Sequence, residues 1–306
     1  MSDLSIDLAG VKLKNPIVTA SGCFGSGHEM SRFTDLGKLG AIVCKTVTLE
    51  RRLGIDAPRG AETPSGMLNA IGLQNPGVNA WADTDLLWLA ERNVPAIASI
   101  GGHTIEEYVA CAQALRGRSG LVGMELNLSC PNLEDRGFMF GLDAERTNEV
   151  VRAVKAVADV PVFPKLSPDV TDIASIASAA ADAGADGLAL INTTLGMSID
   201  TRTFRPKLST GTGGLSGPAI RPIAVRCIYQ VHAALPHLPL IGMGGVRTGD
   251  DALELILAGA TAVAIGTANF FNPLATQEAV VRLDELLDKL GVASVDQVKG
   301  QVKIEG

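Results

Sequence analysis

Short apolar runs alternate with helical patterns along almost the whole chain, and this alternation constrains the fold more than any other feature. The runs are rich in Val, Ile, Leu and Ala; after the opening segment they cover residues 41–48, 95–100, 121–130, 160–167, 186–194, 238–245 and 262–270. A strand–helix unit repeated about eight times is typical of a (β/α)8 TIM barrel. The sequence therefore predicts a single α/β domain over residues 1–306 that begins with a β-hairpin around Gly10.

A doubly wound open sheet is the alternative fold, but it would normally carry a glycine-rich turn after its first strand. Helical patterns are predicted near residues 28–38 and 82–92, among others. Two long stretches, residues 49–80 and 195–217, are rich in Gly, Thr, Pro and Asn and have no helical period. Loops of such length in compact domains are usually functional, so we expect them to be inserted active-site loops.

Composition narrows the class of function. The formal charge is −7 and basic runs are lacking, which argues against nucleic acid as a partner. No apolar run approaches the roughly 18 residues that a membrane span needs, and the N-terminus lacks a signal-peptide pattern. The five cysteines are scattered without a CxxC, so neither a zinc site nor an iron–sulfur cluster is expected on this chain. Reduced thiols and the lack of a targeting segment predict a cytoplasmic protein.

Polar residues terminate most of the predicted strands. In a TIM barrel the active site lies at the C-terminal ends of the strands, so these residues should meet on one rim. The strand-end residues are Ser21, Lys45, Ser99, Asn127, Cys130, Lys165, Asn192, Thr193, Gly244, Gly245, Gly266 and Thr267.

The stretch LVGMELNLSCPN, residues 121–132, carries the strongest chemical signal. It begins as a buried strand and ends in amides, a hydroxyl and the thiol of Cys130. A lone cysteine is more often a small buried hydrophobe. The hydrogen-bonding neighbours here, and the following segment Leu133–Leu142 with its two glycines, favour a catalytic thiol beneath a movable cover.

Paired glycines end the last two predicted strands, in GMGGV and AIGTA. Loops at this place in barrels commonly bind phosphate through backbone N–H groups, although glycine also serves tight turns with positive φ. Lys45 and Lys165 lie at strand ends, where a lysine can hold an anion or form a Schiff base. The nearby amides favour a flat, hydrogen-bonding ring as ligand, and the segment NAIGLQNPG, residues 69–77, adds more of them.

Taken together, the motifs NLSCPN, NAIGLQNPG, INTT, GLSGPAIRP, IGMGGV and AIGTA resemble class 1 dihydroorotate dehydrogenases, in the same order and over essentially the whole chain. Within that class, ASGCFGSG and NAIGLQN are similar to the class 1B catalytic subunit. The resemblance implies FMN, one per subunit, and oxidation of (S)-dihydroorotate to orotate in pyrimidine synthesis. Cys130 would remove the C5 proton, with Lys45 beside it, and the C6 hydride would pass to flavin N5.

The resemblance also assigns binding roles by position. The residues implied for FMN are Ser21, Lys45, Thr46, Ser99, Asn127, Lys165, Ile191, Gly217, Gly244, Gly245, Gly266 and Thr267. Those implied for the substrate are Lys45, Asn69, Ala70, Ile71, Gly72, Leu73, Asn127, Asn192 and Thr193. Electrons would reach NAD⁺ through a partner subunit that carries FAD and a 2Fe-2S cluster, in a heterotetramer of two catalytic and two electron-transfer subunits.

Three alternatives remain open at this stage. The chain could be a class 1A-like enzyme that reduces fumarate, or a flavoprotein similar to dihydropyrimidine dehydrogenase that acts on another ring. It could be a Schiff-base lyase that uses Lys45 or Lys165. It could also bind flavin without turnover and serve only to assemble a complex.

Overall fold

The computed structural model describes residues 2–128 and 140–303 and has the (β/α)8 architecture that the sequence predicts. Eight parallel strands of the described chain form the barrel. They are β1 (Ile17–Thr19), β2 (Ile42–Val43), β3 (Ala96–Ile100), β4 (Leu121–Asn127), β5 (Val162–Leu166), β6 (Leu188–Leu190), β7 (Leu240–Met243) and β8 (Ala262–Ile265). Along the sheet each strand lies beside its neighbours in the chain, and β8 pairs with β1.

The barrel closes between β1 and β2. Val18 pairs with Ala41 in a parallel bridge. The Thr19 hydroxyl accepts a hydrogen bond from the Val43 N–H at 3.0 Å and donates to the Val43 carbonyl oxygen at 3.3 Å. A β-branched side chain therefore joins two short strands that share few backbone hydrogen bonds.

Helices cover the outside of the barrel and bury their apolar faces against it. Their bounds are Val78–Trp81, Leu87–Ala90, Ile105–Leu115, Ala144–Lys155, Ile173–Asp182, Arg221–Ala234, Gly249–Ala258, Ala268–Phe271 and Ala275–Lys289. The first two are joined by a π-helical segment, Ala82–Leu86. The helix predicted near residues 28–38 is wrong: two 3₁₀ turns, Met30–Arg32 and Leu36–Lys38, occupy that stretch.

Side-chain oxygens fix where several helices begin. The Thr104 hydroxyl accepts from the Glu107 N–H, as the sequence predicts for a helix start at this position. Asp143 and Asp172 cap the next two helices in the same way. Thr248 and Asp251 form a reciprocal capping box directly after β7. The turn between β7 and its helix is therefore held tightly, which matters because it borders the site described below.

The two long insertions pair with each other. Gly60–Thr63, Gly66–Asn69, Thr194–Met197 and Thr212–Ser216 form a four-stranded antiparallel sheet, which we call the rim sheet. Ile199–Asp200 and Arg205–Pro206 form a small ribbon next to it in the chain. The sequence predicts loops here because glycine-rich strands have no apolar alternation. A small separate core of Leu68, Ala70 and Leu208 supports the sheet.

The chain begins with the predicted hairpin, Ile6–Leu8 against Val11–Leu13. Ala9 and Gly10 form its turn, both with positive φ. Its inward residues Leu8 and Leu13 are buried in the main core. Within the described residues, no helix has the length and apolar character needed to cross a lipid bilayer.

Candidate active site

A cavity of about 580 Å³ lies at the C-terminal ends of several barrel strands, under the rim sheet. Its walls come from the segments after β1, β6, β7 and β8, from β5, and from the two halves of the rim sheet. Ten of the residues singled out in the sequence line it: Ser21, Lys165, Ile191, Asn192, Thr193, Gly217, Gly244, Gly245, Gly266 and Thr267. Residues from six different parts of the chain are thus brought to one surface.

The glycines form one side of this cavity because a side chain would not fit there. Gly244 and Gly245 have φ of +127° and +76°. A Cβ on Gly245 would lie 2.6 Å from the Arg221 Cβ, and one on Gly244 would lie 2.8 Å from the Ala224 Cβ. Gly217 has φ of +94°, and a Cβ there would lie 2.7 Å from the Gly66 Cα. The turn after β7 therefore presents bare backbone to the cavity.

Another part of the cavity wall carries hydroxyl groups. Thr267, at the start of the helix that follows β8, donates a hydrogen bond from its Oγ1 to the Ser216 Oγ at 2.8 Å. This contact joins the barrel rim to the rim sheet. Glycine turns that expose backbone next to hydroxyl groups suit an anionic oxygen group such as a phosphate.

A hydrogen-bond network crosses the barrel beside the cavity and links most of the other predicted residues. The Thr46 Oγ1 lies 3.0 Å from the Ser21 Oγ and 2.9 Å from the Ser99 Oγ. Asn127 donates from its amide to the Thr46 Oγ1 at 3.3 Å. The Asn192 amide in turn donates to the Asn127 Oδ1 at 3.1 Å. Five residues on five different barrel segments therefore form one connected set.

Glu125 ends this network, and the sequence analysis missed it. It lies in β4 and is fully buried. Its Oε1 accepts a hydrogen bond from the Ser99 Oγ at 2.9 Å and lies 3.5 Å from the Lys165 Nζ. A charged residue at the centre of an apolar strand is a signal that the sequence does contain, since a carboxylate is almost never buried without a partner.

Cys23 lies in the cavity wall after β1. Burial raises the pKa of its thiol to about 11, although the ammonium groups of Lys165 and Lys45 act in the opposite direction. Both lysines are therefore close enough to Cys23 to affect the charge of groups in this part of the cavity. At neutral pH the Cys23 thiol keeps its proton, so it is unsuited to act as a base.

Lys45 lines a neighbouring cavity of about 230 Å³, together with Gln74 and Asn75. Asn75 holds the intervening loop in place: its amide donates to the Thr48 Oγ1 at 2.8 Å, and its Oδ1 accepts from the Thr48 N–H at 3.1 Å. The loop after Asn69 is thereby tied to the segment that follows Lys45.

The predicted substrate loop lies next to the network and outside the wall of the larger cavity. Asn69 donates to the Gly214 carbonyl oxygen at 3.3 Å within the rim sheet. Ala70 and Leu73 are buried, whereas Ile71 is partly exposed. Gly72 and Leu73 both have positive φ, which folds the loop back on itself. A Cβ at Gly101 would touch Thr46 and Leu73, so the loop tip packs beside the network.

Cys130 lies outside the described residues, as does most of the predicted cover, Leu133–Leu142. β4 ends at Asn127, and after Leu128 the chain is described again from Phe140. The Gly141 N–H donates to the Leu128 carbonyl oxygen at 3.0 Å, so these two described residues are in direct contact.

Comparison with known proteins gives consistent results. The family model described as dihydroorotate dehydrogenase matches residues 3–290. A protein of Anoxybacillus flavithermus named "Dihydroorotate dehydrogenase B (NAD(+)), catalytic subunit" is 52% identical over 301 residues, which cover 98% of this chain and 96% of that protein. A protein of Listeria innocua with the same name is 50% identical over 302 residues, 99% of each chain.

A solved structure shares the fold. The crystal structure of the DHODH of Eimeria tenella in complex with ferulenol superposes with a TM-score of 0.83 at 21% identity. The match covers 98% of this chain and 88% of that chain.

Proposed function

The chain belongs to the dihydroorotate dehydrogenase family, and on that premise we propose that it oxidises (S)-dihydroorotate to orotate in pyrimidine biosynthesis, with NAD⁺ as the final acceptor. The observation that carries the proposal is the cavity at the barrel rim. It combines glycine turns fit for a phosphate with a row of amide, hydroxyl and lysine side chains fit for a flat, polar ring.

FMN is the proposed cofactor of this chain. The bare backbone at Gly244 and Gly245 fits its phosphate, because a Cβ at either place would clash with the wall behind it. Lys165, Ser21 and Thr267 line the same cavity and would bind the rest of the molecule. FMN when bound supplies the acceptor for the hydride that leaves the substrate.

The substrate is proposed to lie beside the network of Asn127 and Asn192. Each amide offers paired donor and acceptor groups that match the imide edges of a pyrimidinedione. Lys45, Thr193 and the loop of residues 69–73 complete the proposed binding set. A lysine near the carboxylate-bearing ring would attract and orient the anionic substrate.

Cys130 is the proposed base. Removing a proton next to a carbonyl group requires a base whose pKa is not far above neutrality, and a thiol with an ordinary pKa of about 8.5 can be brought there. Cys130 follows Asn127 by three residues in the sequence, and β4 carries two members of the network, Glu125 and Asn127. Cys23, the cysteine in the cavity wall, has a pKa of about 11 and fits the task poorly.

A Schiff-base lyase is a weaker candidate. Lys165 forms an ion pair with the buried Glu125, whereas an amine that attacks a carbonyl must first lose its proton.

The partner is proposed to be an electron-transfer subunit. Relatives that are about half identical over nearly their full length are named catalytic subunits of an NAD⁺-dependent enzyme, which implies a second subunit in those proteins. For this chain we propose a partner that carries FAD and a 2Fe-2S cluster, in a heterotetramer with two copies of each subunit.

The spectrum of the purified chain tests the proposal most directly. A yellow protein whose flavin is released on denaturation as FMN, and is bleached by dihydroorotate without oxygen, would support it. A colourless chain that takes up no FMN on titration would refute it. Reduction of fumarate by the isolated, loaded chain would instead indicate a class 1A-like enzyme.

A further inference from the structure

Glu125 is a carboxylate at the centre of an apolar barrel strand. One oxygen, Oε1, faces both the Ser99 hydroxyl and the Lys165 ammonium group. The other, Oε2, is buried and has no hydrogen-bond partner within residues 2–128 and 140–303. Removing a carboxylate from water costs several kcal/mol even when it is paired, so packing alone does not account for a glutamate here.

The carboxylate fixes the direction of every hydrogen bond in the network. An ionised carboxylate can only accept hydrogen bonds, so the Ser99 hydroxyl donates its proton to the hydrogen bond with Glu125. Ser99 must therefore accept the hydrogen bond from Thr46. Thr46 then has no proton left, and both Ser21 and the Asn127 amide must donate to it.

The same reasoning extends to the far end of the network. Because the Asn127 NH₂ group faces Thr46, its carbonyl oxygen is the atom that accepts from Asn192. The Asn192 Oδ1 in turn accepts from the Thr193 N–H at 2.8 Å. Glu125 thereby determines the orientation of the amide groups within the network.

Glu125 also determines the local charge. Lys165 lines the cavity, and its Nζ lies 3.5 Å from the Glu125 Oε1. Both side chains are almost fully buried, so water screens the pair little. The ionised Glu125 offsets the positive charge of Lys165, and removing that carboxylate charge makes the electrostatic potential beside the cavity more positive.

We propose that Glu125 is a positioning residue that sets the reduction potential of the flavin, acting through Lys165 and through the direction of the Ser99–Thr46 hydrogen bonds. The inference rests on the proposed FMN site. A reduced flavin is anionic near neutral pH, so loss of the negative charge of Glu125 beside Lys165 would stabilise it and raise its potential. Glu125 keeps the potential lower, which favours passing electrons onward.

Glu125→Gln tests this, because it removes the charge and keeps the shape. The potential of the bound flavin is measured by equilibration with a reference dye in the absence of oxygen. We expect the equilibrium constant for reduction to rise at least about tenfold, which for a two-electron couple is about 30 mV. Glu278→Gln is the matched control, since it removes the same charge from the exposed lip of the same cavity. Solvent screening should keep its effect below about threefold.

Ser99→Ala separates the two routes. It breaks the hydrogen-bond chain but leaves the Glu125–Lys165 pair, so it should weaken orotate binding and move the potential much less than Glu125→Gln. If Glu125→Gln does not retain FMN, Glu125→Asp keeps the charge at a greater distance from Lys165 and should raise the potential by a smaller amount.

The outcomes are distinguishable. A loaded Glu125→Gln variant with the wild-type potential would overturn the inference and leave the proposed function intact. Loss of FMN from both Glu125 variants would identify Glu125 as a structural residue and also overturn it. A wild-type chain that binds no FMN would refute the proposed function and the inference together.

Discussion

Among single residues, Gly245 lies at a position that only glycine can occupy without strain. Gly245→Ala forces a side chain into a left-handed conformation and to within 2.6 Å of the Arg221 Cβ. The conformation alone costs about 1–2 kcal/mol, and the overlap adds about 1–3 kcal/mol. We expect lower stability in urea unfolding and weak retention of FMN.

Gly184→Ala is the control for this variant. Gly184 also has a positive φ, +93°, but a Cβ there would meet nothing within 4 Å. It should show the conformational cost alone and bind FMN normally. Equal FMN binding by the two variants would remove the turn after β7 from the proposed phosphate site.

Cys130 carries the proposed chemistry, and its replacement gives the sharpest functional result. Cys130→Ala should retain FMN and orotate, since neither needs the sulfur, while flavin reduction by dihydroorotate falls about 10²–10⁴-fold. In the wild type, reduction should accelerate as pH rises through the thiol pKa and then level off. Anaerobic stopped-flow spectroscopy across pH measures both effects.

Cys23→Ser provides the comparison. Burial raises the pKa of the Cys23 thiol to about 11, so that thiol stays protonated over the range in which the enzyme is assayed. The pH-dependent limb should persist in Cys23→Ser and vanish in Cys130→Ala. Persistence of the limb in Cys130→Ala would mean that another group is the base.

At the level of single residues, the sequence predicted the residues that line the cavity better than the buried residue that supports them, Glu125. Ser21, Asn192 and Thr267 could be found because polar residues at strand ends stand out from apolar runs, and all three line the cavity. Glu125 does not stand out in this way, because the carboxylate lies two residues before the end of β4 and not at a strand end. Its partners, Ser99 and Lys165, come from β3 and β5, and sequence alone does not give their distances.

Among elements, β4, β5 and β6 show how glycines make room for one large side chain. Phe163 of β5 is fully buried. A Cβ on Gly123 or on Gly187 would lie 2.9 Å from its ring. Gly123→Ala should therefore destabilise the protein by about 1–3 kcal/mol, because the barrel wall cannot expand around the ring.

A double variant tests that explanation. Phe163→Leu removes the obstructing ring, so the double variant should lose less stability than the sum of the two single variants. Urea unfolding of the four proteins measures the coupling. Strict additivity would show that Gly123 is required for another reason.

Strands whose residues form an apolar run could be predicted from the sequence. Strands that form only because another segment pairs with them could not. Ala96–Ile100 and Val162–Leu166 are buried at every position, and their apolar runs identify them. The rim strand Thr212–Ser216 contains two glycines and has only a weak alternation of apolar and polar residues. It can therefore be identified only from its pairing with other strands. The predicted helix at 28–38 failed because Asp35 caps a new turn and Gly37 follows it.

For the whole molecule, the proposed division of labour predicts how the isolated chain behaves. Loaded with FMN and given dihydroorotate, it should reduce an artificial dye but not NAD⁺. The sequence has no GxGxxG in a strand–turn–helix context to bind a dinucleotide, and no CxxC for a cluster. Addition of the electron-transfer subunit should start NAD⁺ reduction. Efficient NAD⁺ reduction by the chain alone would contradict the proposed partner.

The rim sheet has a consequence for the order in which the chain becomes functional. Its hydrogen bond between Asn69 and Gly214 joins residues 145 positions apart, whereas neighbouring barrel strands are consecutive along most of the chain. Contacts that close long loops form late, because their entropy cost must be met by structure already in place. During refolding from urea, helical circular dichroism should return first and quenching of added FMN only afterwards. A newly made chain would thus be compact for a time before it can hold its cofactor.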